Sequence, residues 1–65
     1  MRIMYLKGWK IVYGKPANKP YRASFGNSKN VVIRSIENCE TETELLIQIG
    51  YELCALDLAE ISPEV

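Results

Sequence analysis

The sequence predicts an α+β fold: a small three-stranded antiparallel sheet, a βββ meander, followed by one long C-terminal helix packed on it. Three observations carry this reading. Residues 2 to 36 hold short, alternating apolar runs separated by Gly, Pro and Asn. Residues 42 to 60 hold apolar side chains at helical spacing behind a threonine start signal. The charges divide at the same boundary. All eight Lys and Arg lie between Arg2 and Arg34, and all eight Asp and Glu lie between Glu37 and Glu64. The chain is therefore expected to be a single βββα domain over residues 1–65, with the sheet at about 2–36 and the helix at about 42–60.

The first strand is expected over residues 2 to 13. In an unbroken register Ile3, Tyr5, Trp9, Ile11 and Tyr13 share one face, while Met4, Leu6, Lys10 and Val12 take the other. Gly8 interrupts this run. Lys-Gly is a weaker hairpin signal than Asn-Gly or Asp-Gly, so Gly8 is read as a bend in preference to a hairpin tip. Gly14 to Pro20 is a loop, because its two prolines each fix φ and remove a donor. Tyr21 to Phe25 is the second strand, Gly26 to Asn30 a hairpin connection, and Val31 to Ile36 the third strand.

The helix has the best-defined start. Thr41-Glu42-Thr43-Glu44 fits a capping box, in which the Thr41 hydroxyl accepts from the Glu44 amide and the Glu44 carboxylate from the Thr41 amide. Glu42 and Glu44 also suit the positive end of the helix dipole. Ser62-Pro63 ends the pattern. At roughly 100° per residue two apolar stripes emerge where one would suffice. The first is Leu45, Leu46, Ile49, Leu53 and Leu56, expected to face the sheet. The second is Ile47, Tyr51, Cys54, Leu58 and Ile61, expected to form a dimer interface.

Length sharpens that expectation. A chain of 65 residues buries only about 60% of the surface its unfolded form exposes. Small domains compensate with disulfides, a metal or oligomerisation. Cys39 and Cys54 stand alone without a signal peptide, so reduced thiols and a cytoplasmic location are expected. Cys54 reads as a small buried hydrophobe, and Cys39 shows no cation beside it to activate a thiolate. No His is present and no second cysteine pair, so no metal site is expected. The apolar run Ile3 to Leu6 is too short to cross a membrane. Oligomerisation is left, and a 48% hydrophobic content supports it.

Catalysis has little to work with. Without His the usual general base is missing, and the four glycines form no phosphate loop. The carboxylates Glu37, Glu40, Glu42 and Glu44 lack the pattern of a calcium loop. No enzyme activity, catalytic residue or cofactor is expected. The basic half is more informative. With Trp9, Ile11, Tyr13, Tyr21, Ala23 and Phe25 under the helix, Lys10, Arg22 and, in one of two registers, Arg34 project from the opposite face. Lys15, Lys19 and Lys29 add charge in the loops. Such a face suits an acidic protein surface or a polynucleotide.

The order Gly8-Trp9, two further strands and a Thr-initiated helix resembles the arm-type DNA-binding domains of tyrosine recombinases in topology and one aromatic position. Those domains present a three-stranded sheet to DNA with a helix behind it. This chain departs from them in a longer, more apolar third strand and in the absence of their catalytic domain, and it is not assigned to that family. The reading from sequence is a small non-enzymatic protein-binding module. It self-associates through its helix and modulates or inhibits an unidentified protein partner, with a phage or mobile-element regulator fitting the size. Nucleic-acid binding through the basic sheet is the alternative.

Overall fold

The computed structural model describes residues 1–64. It is α+β, with an antiparallel sheet followed by one C-terminal helix, but the sheet has four strands where the sequence suggested three. They are β1 (Arg2–Leu6), β2 (Trp9–Gly14), β3 (Tyr21–Gly26) and β4 (Val32–Cys39), in the order β1-β2-β3-β4. The helix α1 spans Glu42–Leu58.

The extra strand comes from Lys7-Gly8. Leu6 pairs with Trp9 across a two-residue turn, with Lys7 at φ 51° and Gly8 at φ 85°. Positive φ at both positions is the twist that a tight antiparallel hairpin needs. Gly8 is thus a hairpin tip and not the expected bend. The turn also inverts the side-chain phase of the first strand, because opposite residues share a face. Met4 pairs with Ile11 and Leu6 with Trp9, on the helix side. Ile3 and Tyr5, expected beside Trp9, lie on the outer face with Val12 and Lys10.

The core sits between the sheet and α1. Trp9, Ile11, Ala23, Phe25, Ile36, Cys39, Leu45, Ile49 and Leu56 are buried, with Tyr13 and Tyr21 packed at its margin. Trp9 and Phe25 meet edge to face, with ring centroids 6.4 Å apart. The helix lies over β3 and β4. The C-terminal tail covers the hairpin end: Ile61 packs on the core, and the Ser28 N–H donates to the Pro63 carbonyl at 2.9 Å.

Strand β4 runs past the expected end at Ile36. Tyr21 pairs with Cys39 and Ala23 with Ile36, so two residues, Glu37 and Asn38, oppose Arg22 alone. Asn38 takes φ 64° in this bulge. A bulge resets the alternation, which lets Ile36 and Cys39 both face the core despite their odd spacing. Burial pushes the Cys39 thiol above its ordinary value, with Glu44 adding to the effect.

The Thr41 hydroxyl caps α1 by accepting from the Glu44 N–H at 3.1 Å. The Glu44 carboxylate accepts from the Glu40 N–H, one residue before the expected donor. The other end is earlier than the expected residue 60. Glu60 adopts φ 58°, its N–H donates to the Asp57 carbonyl, and the Ile61 N–H donates to the Leu56 carbonyl. These two bonds form a Schellman turn, which satisfies the last free carbonyls and reverses the chain.

Candidate functional site

Two surfaces stand out once the core is assigned. The first is the side of α1 turned away from the sheet. Leu45, Ile49 and Leu56 point into the core, and Leu53 packs at its edge. Half a turn away, Ile47 is 53% exposed, Tyr51 66% and Leu58 87%, with Cys54 exposed among them. Four of the five residues expected at a helix interface therefore share one open apolar strip. The fifth does not. The Schellman turn carries Ile61 out of the helix and back against the core. Two further expectations fail on this helix. Leu46, expected to face the sheet, is exposed, and Cys54, read as a buried hydrophobe, lies in the open while Cys39 is the buried thiol.

The second surface is the outer face of the sheet. Lys10, Val12, Ser24 and Val32 line a shallow depression there, with Gly26 and Asn30 at its end. Ile3 and Tyr5 flank it on β1. This face is mixed rather than simply basic.

The fold disperses the cations that the sequence suggested as one face. Lys10 and Arg22 do share the outer face, being opposite Gly26 and Gly14 respectively. Arg34 pairs with Phe25, which places it on the helix side of the sheet instead. Lys15 and Lys19 belong to the β2–β3 loop at one end, and Lys29 to the β3–β4 loop at the other. The Lys15 ammonium lies 5.7 Å from the Tyr21 ring centroid. Asn27 builds the β3–β4 loop, its side-chain oxygen accepting from the Lys29 and Val31 N–H groups.

Three cations face acids from the other half of the chain. Arg2 meets Glu42 at 3.5 Å, Arg22 meets Glu37 at 3.5 Å, and Lys7 meets Asp57 at 2.7 Å. The last pair has a local reason. Asp57 lies in the final turn of α1, where the dipole disfavours an anion and no basic residue of the helix compensates. Lys7, held at the hairpin tip, supplies the missing charge. The hydrogen bond to Asp57 and its negative charge raise the Lys7 amine above its ordinary value.

Among the described residues no group of His, Cys, Asp and Glu has the arrangement of a metal site, and no helix is long and apolar enough to cross a membrane. Comparison with known proteins finds no matching family model and no significantly similar curated protein or solved structure.

Proposed function

We propose that this chain is a small non-enzymatic protein-binding module that pairs with a second copy through the outward side of α1 and modulates a protein partner. One observation carries the reading: large apolar residues on the helix side opposite the core, Leu58 at 87% exposure above all. The largest contiguous apolar patch on a small domain is often a functional surface. The dispersal of Lys10, Arg34, Lys15, Lys19 and Lys29 over different faces and ends supports a protein partner ahead of a polynucleotide. The outer sheet face, where Ile3, Tyr5 and Val32 surround Lys10, remains available to that partner in the paired state.

Sedimentation equilibrium over a concentration series tests the reading. The expected result is a reversible dimer that Leu58→Glu converts to a monomer with an unchanged circular dichroism spectrum. A wild-type chain that stays monomeric into the high micromolar range refutes self-association. A polynucleotide titration across a range of salt concentrations separates the alternative, since phosphate contacts would give a steep loss of binding with salt.

A further inference from the structure

We infer that the two copies pair with their α1 helices antiparallel, the two-fold axis passing between Glu52 and Leu53. This rests on the self-association just proposed and adds its geometry. Ile47, Tyr51, Cys54 and Leu58 follow one another at intervals of four, three and four residues, the spacing of a helix–helix seam. All four are exposed on the side opposite the core. At roughly 200 Å² for a fully exposed large side chain, Ile47, Tyr51 and Leu58 together present on the order of 400 Å². That is half of the about 800 Å² per partner that a stable interface buries, and Cys54, Ala55, Gln48 and Gly50 flank it.

The same four residues decide the direction. An antiparallel pair sets Ile47 against the partner's Leu58 and Tyr51 against the partner's Cys54, so the largest side chain meets the smallest twice. A parallel pair sets Tyr51 against the partner's Tyr51 and Cys54 against the partner's Cys54, crowding one layer and leaving the next loose. Charge points the same way. Glu44 lies two turns before Tyr51 on the same side of α1, so parallel helices bring it against the partner's Glu44. They also align two acidic first turns, each with Glu42 and Glu44. Antiparallel helices move Glu44 beyond the partner's helix end, because α1 stops at Leu58. The helix dipoles then oppose each other favourably.

Cysteine cross-linking reads the direction. In a Cys54→Ser background Ile47→Cys and Leu58→Cys are made separately, and Cys39 stays silent because it is buried. Mild oxidation with diamide is applied to each variant alone and to their mixture, with wild-type sedimentation run in parallel. Antiparallel pairing gives a disulfide dimer in the mixture and none in either variant alone. In that arrangement the two copies of position 47 are about 16 Å apart along the axis, against a disulfide limit of about 7 Å between Cα atoms. A homodimer of the Ile47→Cys variant overturns the direction while leaving self-association standing. No cross-link in any sample, with the wild type still dimeric, overturns α1 as the interface. A monomeric wild type overturns the self-association itself.

Discussion

Two glycines in this chain should respond to the same substitution with opposite signs. At Gly8 an added Cβ would lie 2.8 Å from Pro63 Cγ, and the backbone stands at φ +85°. Gly8→Ala therefore carries the left-handed penalty of about 1–2 kcal/mol for a residue with a Cβ, and it also pushes on the tail whose Pro63 carbonyl accepts from Ser28. Gly50 sits inside α1, and a Cβ there meets nothing within 4 Å. Gly50→Ala should gain about 1 kcal/mol from helix propensity alone. Both changes restrict the unfolded chain alike, so that contribution cancels in the comparison. The two variants should differ by about 2–3 kcal/mol. For a domain of this size each kcal/mol moves Tm by about 4–8 °C, which separates them by roughly 10–20 °C. Thermal unfolding at low protein concentration, followed by circular dichroism, measures this directly. A Gly8→Ala variant as stable as wild type would refute the hairpin at Lys7-Gly8 and restore the single bent strand. A destabilised Gly50→Ala variant would show that the space beside Gly50 is occupied.

Thiol reactivity gives a second test. Ellman's reagent should titrate Cys54 rapidly in the folded chain and Cys39 only on unfolding, because Cys39 is buried and Cys54 exposed; rapid modification of both in the native state would contradict the β4 bulge. Alkaline pH gives a third. The folded chain holds the protons of Cys39 and Lys7 more tightly than the unfolded chain, whose ordinary values are 9.0 and 10.5. The stability linked to both groups is therefore complete below pH 9.0, falls first through Cys39, and falls again above 10.5 through Lys7. Urea titrations should show the second decline vanish in Lys7→Met; an identical alkaline profile in that variant would show that the Lys7–Asp57 contact does not stabilise the fold.

Much of the architecture was legible in the residues because local physics dictated it. Thr41 could be read as a cap, since a hydroxyl three residues before Glu44 satisfies a free amide wherever the helix sits. The alternation of Trp9, Ile11 and then Ala23, Phe25 placed the right side chains under the helix. The hairpin was missed because lysine is an unusual residue at positive φ. Its conformation is held by five residue pairs between β1 and β2 and by Asp57, which lies fifty positions away. The β4 bulge is not legible in the residues because Glu37 and Asn38 break the alternation, and only pairing with β3 carries the strand on to Cys39.

The candidate site was readable to a similar degree. Helical spacing alone picked out Ile47, Tyr51, Cys54 and Leu58 as a second stripe. It also included Ile61, since periodicity continues through a sequence whose backbone has already turned at Glu60. Arg34 was grouped with Lys10 and Arg22 in one of two registers, and a bulge between the Phe25 and Gly26 pairings chose the other.

By itself the sequence determined the strand-then-helix order, the helix start and the excess of apolar surface on α1. These follow from turn chemistry, capping and periodicity, all of which act over a few residues. Only the tertiary structure decided the fourth strand, the burial of Cys39 in place of Cys54, and the fate of the charge division. Contacts between residues far apart in the chain settle those points. The division that is complete along the sequence is partly closed in space, as Arg2, Lys7 and Arg22 each reach an acid from the other half.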